Sequence, residues 1–245
     1  MLVVPFRELL STHLLRLFRV KTVSPGYTRY DIQTDRDDIP EKHIILKMAD
    51  SVDIKGPVVN KPDLYLTADE IANAVSSANT IVIVSSATGA LVPMYNKEWI
   101  PERYQQIVDR FRGEFEFIQL GSRQDIPLSG VKDLRGQTTV RQSAAILKHA
   151  SLLIAQVGFM MHLARAVGCR SVIVYGGRER PEQSGYRCFE NLTADVPCSP
   201  CWLHNRCDFG KRCMTAITMD DVALAVEKQL QFAGTPLGID MLYND

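Results

Sequence analysis

Short apolar runs alternate with amphipathic helical patterns from residue 80 to the end of the chain. The runs are TIVIV, FEFIQ, SLLIAQ and SVIVY, and the helical patterns begin at Pro101, Thr139, Phe159 and Met219. Runs of this length suit buried strands, and the longer patterns suit helices that connect one parallel strand to the next. The alternation predicts an α/β fold: a Rossmann-like, doubly wound parallel sheet with helices on both faces. Pro101 suits the first turn of its helix, and Thr218 is a candidate N-cap of the last one.

The pattern becomes regular only after about residue 75. A chain of 245 residues that is 46% hydrophobic can form one large core or two modest ones. Residues 1–75 carry a weak pattern with turn-forming stretches. We therefore predict an N-terminal region with a connection over residues 1–75, and a Rossmann-like domain over residues 76–245.

Charge and hydropathy argue against several kinds of partner. Lys plus Arg and Asp plus Glu both number 28, so the formal net charge is zero. A neutral chain has no overall field to attract nucleic acid or an anionic membrane. Charged residues interrupt the first 20 positions, and no run of about 18 apolar residues occurs. The sequence predicts a cytoplasmic protein without a transmembrane segment or nucleic-acid partner.

The loops that follow the predicted strands are the candidate ligand sites, because ligands of such sheets bind beyond the carboxyl ends of the strands. One of these loops, QVGFMMH, contains Gly158 and His162. Gly158 leaves room for a ligand at the N-terminus of the next helix, whose N–H groups favour a phosphate. His162 lies four residues later on the same helix face. The loop predicts an anion site, and a packed core histidine is the alternative.

Two stretches resemble a known family. NKEWIPERYQQIVDRF and GFMMHLARAVG are similar to motifs of the bacterial heptosyltransferases, glycosyltransferase family 9. The first carries Lys97, Trp99 and Pro101. The residues that match the second motif are Gly158, His162, Leu163, Ala164, Ala166 and Gly168. The similarity extends over roughly residues 76–230.

This resemblance implies a glycosyltransferase with two Rossmann domains, of which this chain keeps the half that binds the donor, usually ADP-heptose. Residues 1–75 then belong to a shortened acceptor side. Lys97 is implied to meet the diphosphate, and Asp125 to lie near the ribose. Gln156 stands where the family has an Asp. The implied sugar-nucleotide-binding residues are Lys97, Asp125, Gln156, Gly158, Met161 and His162.

Two functions follow from the resemblance. The first is transfer of a sugar from an ADP-sugar, such as ADP-heptose, to a glycan or protein hydroxyl, as in lipopolysaccharide biosynthesis. The second is a noncatalytic or truncated sugar-nucleotide-binding subunit. The family's catalytic base is an Asp early in a complete N-terminal domain, and no Gly-Asp pair occurs in this sequence. We therefore assign no catalytic base. We expect the chain to associate either with further copies of itself, as a homo-oligomer, or with a separate acceptor-binding chain.

Four cysteines crowd into residues 198–213. Cys198, Cys201, Cys207 and Cys213 form the pattern C-x2-C-x5-C-x5-C. Four thiols at this spacing can supply the four ligands of one tetrahedral metal ion, and sulfur ligands suit both iron and zinc. The stretch resembles the cysteine-rich insertion of autotransporter-modifying heptosyltransferases, which implies iron. Reduced structural thiols are the alternative.

Overall fold

The computed structural model describes residues 40–90 and 93–244. Residues 1–39, about half of the predicted N-terminal region, lie outside the described part. The strands are β1 (Gly56–Val59), β2 (Thr80–Val84), β3 (Glu116–Gln119), β4 (Lys132–Asp133), β5 (Leu152–Gln156), β6 (Ser171–Gly176), β7 (Glu190–Thr193) and β8 (Met241–Asn244). The helices are α1 (Ile44–Ser51), α2 (Ala68–Ala72), α3 (Pro101–Phe111), α4 (Val140–His149), α5 (Phe159–Val167), α6 (Pro181–Ser184), α7 (Arg212–Thr215) and α8 (Met219–Leu230).

Six of the strands form one sheet in the order β4-β3-β2-β5-β6-β7. Every neighbouring pair in it is parallel. The chain runs from β2 outward to β4, then returns to the other side of β2 as β5. The strand order reverses between β2 and β5, which places a crevice outside their carboxyl ends. The predicted doubly wound parallel sheet is confirmed.

Both faces of this sheet are covered. Every residue of β2, β5 and β6 is buried, as expected for a parallel sheet with helices on either side. Successive side chains of β2 alternate between two cores. Ile81 and Ile83 pack with residues of α3 and α8, and Val82 and Val84 pack with residues of α4 and α5. The sheet edge that could hold a ligand is therefore carried on a rigid frame.

Local signals set the helix ends, and those at Pro101 and Thr218 are as the sequence predicts. Pro101 is at the start of α3, where its missing N–H costs nothing. Thr218 caps α8, because its side chain accepts from the N–H of Asp221 and the Asp221 carboxylate accepts in return. Gly168 ends α5 in the left-handed conformation, with φ at 80°.

A second, two-stranded sheet joins the two ends of the described chain. β1 pairs antiparallel with β8, so that Gly56 faces Asn244. The Asn244 side chain donates to Asp50 Oδ1 at 3.0 Å and to the carbonyl of Ile54 at 2.6 Å. Residues 44–59, which we predicted as part of the N-terminal region, thus pack with the last strand. β7 was missed because its sequence, ENLT, has little β-branched or aromatic character.

Candidate functional site

The loops after β2 and β3 are joined at the carboxyl edge of the sheet. Ser85 Oγ donates to the carbonyl of Ile126 at 2.6 Å, and the Ile126 N–H donates to Ser86 Oγ at 3.1 Å. Asp125 completes the junction. Its Oδ2 accepts from the N–H of Ser122 at 2.7 Å, and its Oδ1 accepts from the N–H of Gly89 at 3.3 Å. The Asp125 carboxylate is therefore part of the wall of the crevice.

Asp125 is also packed tightly. The residue is 4% exposed. A Cβ at Gly121, where φ is 132°, would lie 2.3 Å from Asp125 Oδ2, so only glycine fits there. The predicted contact of Asp125 with a ribose needs a carboxylate that a ligand can reach, whereas the structure engages both of its oxygens with backbone N–H groups.

Gln156 ends β5 and points into the protein. It is 5% exposed, and its Oε1 accepts from the hydroxyl of the fully buried Tyr104 at 3.1 Å. A neutral amide suits this position, because a buried charge would need a cation or several donors. The residue that replaces the family's Asp is thus satisfied inside the core.

Gly158 leaves open space at the N-terminus of α5. Its φ of 163° is extended backbone, which any residue can adopt. A Cβ built on Gly158 would meet nothing within 4 Å. The first turn of this nine-residue helix offers unpaired N–H groups beside that space.

Met161 does not belong to this open region. It is fully buried among residues packed between α4, α5 and the sheet. Its sulfur accepts from the hydroxyl of Tyr175 at 3.3 Å. The Met161 side chain therefore packs in the core, and a binding role for this residue stays a prediction.

His162 is half-buried one turn into α5. Its Nδ1 lies 2.7 Å from the hydroxyl of Tyr186, and the two rings meet edge to face with their centroids 5.6 Å apart. Burial lowers the pKa of His162 to about 4. The negative charge of Glu179 raises this pKa by less, and the positive charge of Lys97 lowers it further. The imidazole is therefore neutral at pH 7, and Lys97 and Glu179 are its electrostatic neighbours.

Lys97 places an ammonium group near this helix. It ends the 3-10 turn Tyr95–Lys97, and its ammonium pairs with the carboxylate of Glu179. Arg178 Nη1 lies 3.2 Å from Glu179 Oε1, and Ser184 Oγ donates to Glu179 Oε2 at 2.9 Å. Burial raises the pKa of Glu179, but Lys97 and Arg178 outweigh it, so the carboxylate stays ionised.

Glu179 is the residue that sequence reasoning missed. It lies in GGRERPEQSGY, directly after β6, in one of the strand-end loops. Two cations, Lys97 and Arg178, contact the Glu179 carboxylate. The side chain of Lys97 is 15% exposed, so part of it faces solvent. The structure thus brings Lys97 and His162 together with Glu179, and places Asp125 in the neighbouring wall.

The four cysteines of residues 198–213 line one small cavity of about 60 Å³. Burial raises the pKa of Cys213, and the three other thiols raise it further. Within residues 40–90 and 93–244, no three His, Cys, Asp or Glu side chains are arranged as a ligand sphere. The donor chemistry fits a thiophilic ion, although the sulfur atoms as placed do not surround one.

A cavity of about 710 Å³ lies on the β6–β7 side of the sheet. Arg180, Tyr186 and Ser199 contribute to its wall, and Tyr186 is the residue that contacts His162. No predicted binding residue lines it.

Among residues 40–90 and 93–244, no helix is both long and apolar enough to span a membrane.

Three solved structures are similar to this chain. The ADP-heptose lipopolysaccharide heptosyltransferase II of E. coli aligns with 14% identity and a TM-score of 0.53, covering 69% of this chain and 54% of its own. The iron-containing dodecameric glycosyltransferase TibC of enterotoxigenic E. coli H10407 aligns with 18% identity and a TM-score of 0.56, covering 69% and 48%. A family 9 glycosyltransferase of Veillonella parvula aligns with 15% identity and a TM-score of 0.56, covering 81% and 62%.

This chain has the glycosyltransferase fold of the heptosyltransferases. The predicted resemblance is confirmed for the fold, since the alignments cover between 69% and 81% of this chain. The chain spans about half the length of these proteins. TibC has also been solved in complex with ADP-D-β-D-heptose. No protein-family model and no curated protein matches the sequence.

Proposed function

We propose that this chain is a member of the ADP-heptose transferase family that binds an ADP-sugar, such as ADP-heptose, at the carboxyl edge of its parallel sheet. One observation carries the proposal. At this edge of a heptosyltransferase fold, the partly exposed ammonium of Lys97, which is paired with Glu179, lies near the open N-terminus of α5. A helix N-terminus and a cation together form a site for a diphosphate.

The proposed chemistry is transfer of the glycosyl group to a glycan or protein hydroxyl. The bond between the anomeric carbon and the diphosphate oxygen breaks, a bond to the acceptor oxygen forms, and ADP leaves with the negative charge. Lys97 and the N–H groups of α5 stabilise that charge as it develops. Lys97 can do so because Arg178 continues to neutralise Glu179 when the ammonium turns to the ligand.

His162 contributes a hydrogen bond rather than a charge. Burial raises the pKa of Tyr186 well above its ordinary value, so the hydroxyl keeps its proton. We assign that hydroxyl as the donor to His162 Nδ1, which places the imidazole proton on Nε2. A neutral imidazole with a proton on Nε2 can donate to a phosphate or sugar oxygen. Asp125 serves the same site indirectly, by fixing the loops of the wall.

A noncatalytic sugar-nucleotide-binding subunit is the second candidate. It is favoured by Gln156, which replaces the family's Asp with a neutral amide held by Tyr104. In that case another chain supplies the acceptor-binding surface and the catalytic base. Binding of ADP-heptose without its turnover in the presence of acceptor favours the subunit, and release of ADP favours the transferase.

Titration calorimetry with ADP tests the donor site. A hydrogen bond to a charged group contributes about 1.5–3 kcal/mol, so Lys97→Ala and His162→Ala should each raise the Kd for ADP about tenfold or more. Lys61→Ala and His149→Ala, which remove the same groups from outside the site, should leave the Kd unchanged. If wild-type protein shows no affinity for ADP at millimolar concentration, the donor-site assignment is wrong.

The cysteine cluster is proposed to hold one iron or zinc ion through Cys198, Cys201, Cys207 and Cys213. When bound, such an ion would cross-link residues 198–213. Protein purified without chelator should carry close to one equivalent of metal by elemental analysis, and Cys201→Ser should lose it together with several degrees of Tm. The half-buried Cys188, outside the cluster, provides the control in Cys188→Ser. Metal-free wild-type protein with the same Tm as Cys201→Ser contradicts the proposal.

A further inference from the structure

We infer that Asn96 is a positioning residue for Lys97, and that the cysteine-rich segment, residues 198–213, acts as a clamp that holds the Lys97–Glu179 ion pair at the edge of the sheet. This inference rests on the proposed function for its consequence, the affinity for a diphosphate. The clamp itself is a matter of contacts between segments that are distant in sequence.

The first side of the clamp holds the turn that carries Lys97. The Asn96 amide donates to the carbonyl of Arg206 at 2.8 Å and to that of Leu203 at 3.2 Å. The backbone N–H of Asn96 donates to the carbonyl of His204 at 3.0 Å. The preceding N–H, of Tyr95, donates to Asn205 Oδ1 at 2.9 Å. Four hydrogen bonds thus fix this turn to the cysteine-rich segment.

The second side holds the residues around Glu179. The N–H of Trp202 donates to the carbonyl of Arg178 at 2.9 Å, and Arg178 Nε donates to the carbonyl of Leu203 at 3.0 Å. The Arg178 guanidinium also lies over the Trp202 ring, 4.8 Å from its centroid. Because the Leu203 carbonyl accepts from both Asn96 and Arg178, one peptide group connects the two halves of the ion pair.

The turn needs this support because it has little of its own. A three-residue 3-10 turn forms few internal hydrogen bonds, and this one has no side-chain cap. Asn96 is 5% exposed, and only its donor end is used, since its Oδ1 has no hydrogen-bond partner. A buried amide that spends both N–H groups on another segment fixes the position of its neighbour in sequence, which is Lys97.

Two measurements test the clamp, and the first does not require nucleotide. Acetylation of lysines by an N-hydroxysuccinimide ester, followed by peptide mass spectrometry, reports how accessible the Lys97 amine is relative to that of the exposed Lys55. In wild type, Lys97 should react slowly, because it is paired and only 15% exposed. Asn96→Ala should raise its relative rate by about threefold or more, as expected when two hydrogen bonds are lost.

The second measurement is the Kd for ADP of the full chain. Asn96→Ala should weaken binding by about threefold to tenfold. Asn244→Ala is the matched control, because this amide is 3% exposed and also makes two donations, but lies in the two-stranded sheet. It should lower Tm by a similar amount and change neither the Lys97 rate nor the Kd.

The outcomes separate the clamp from the donor site. A raised Lys97 rate in Asn96→Ala supports the clamp even if wild-type protein fails to bind ADP, in which case only the proposed function falls. An unchanged Lys97 rate together with a lowered Tm overturns the clamp, because Asn96 is then merely structural. If Asn96→Ala does not fold, Asn205→Ala, which removes the exposed acceptor of the Tyr95 N–H, decides in the same way.

Discussion

Two carboxylates at the same edge of the sheet are equally buried but have different kinds of hydrogen-bond partner. Asp125 and Glu179 are each 4% exposed. Asp125 accepts from backbone N–H groups of two loops, whereas Glu179 accepts from Lys97, Arg178 and Ser184. Backbone donors are neutral and fixed, so they make a carboxylate part of the architecture. Cationic side chains can turn to a ligand, so a carboxylate paired with two of them can release one.

The surroundings extend this contrast. Arg135, the cation near Asp125, is already paired with Asp133 at 2.7 Å, and its pKa is raised by that hydrogen bond. Arg135 thus forms its ion pair with Asp133 rather than with Asp125. On the Glu179 side, two cations share one carboxylate, and the neutral His162 lies nearby. The two carboxylates thus differ in what they hold: Asp125 joins the loops after β2 and β3, and Glu179, after β6, pairs with Lys97 from the loop after β2.

Removing the Asp125 side chain gives the largest effect that this contrast predicts. Asp125→Ala leaves the N–H groups of Ser122 and Gly89 without their acceptor, and should lower the free energy of unfolding by about 3 kcal/mol or more. The affinity for ADP per folded molecule should change less than twofold. Chemical denaturation and calorimetry measure the two quantities.

The control for this prediction is Asp133→Ala, which breaks a pair with 43% of the Asp133 side chain exposed. It should cost no more than about 1 kcal/mol. A small stability loss in Asp125→Ala with a tenfold weaker affinity would break the comparison, because Asp125 would then contact the ribose as the resemblance implies.

The strands and helices could be predicted from the sequence, whereas the burial and hydrogen-bond partners of the polar side chains could not. Four buried strands and the helices between them follow from hydrophobic periodicity, and helix starts at Pro101 and Thr218 follow from local chemistry. Strand order then locates the ligand edge. β4 spans only two residues and depends on its pairing with β3, so no periodic signal exists for it.

Residue type alone does not tell whether a polar side chain is already satisfied. Glu179 was missed because GGRERPEQSGY holds three charged residues before its proline and one after, and only tertiary contacts select one of them. Met161 is implied by the resemblance as a binding residue, yet helical geometry turns its side chain into the core. The cysteine spacing predicts a metal site, but it gives no sign that the same segment holds the turn of Lys97.

The smallest change that can sharpen the comparison is one methyl group at Gly158. Because its backbone is extended and the space around a Cβ is open, Gly158→Ala should alter the free energy of unfolding by no more than about 0.5 kcal/mol. That space is where the proposed diphosphate meets the N-terminus of α5. A methyl group there should displace a phosphate oxygen from the helix N–H groups and raise the Kd for ADP about tenfold, the equivalent of one charged hydrogen bond.

Gly168→Ala, at the other end of the same helix, is the mirror-image control. With φ at 80°, an alanine there is strained and should cost about 1 kcal/mol of stability, while the affinity for ADP stays at the wild-type value. Gly158→Ala should therefore change the affinity and not the stability, whereas Gly168→Ala should change the stability and not the affinity. If Gly158→Ala binds ADP as wild type does, the phosphate does not lie at this helix, and the charge of the Lys97–Glu179 cluster must serve a ligand that approaches from another side.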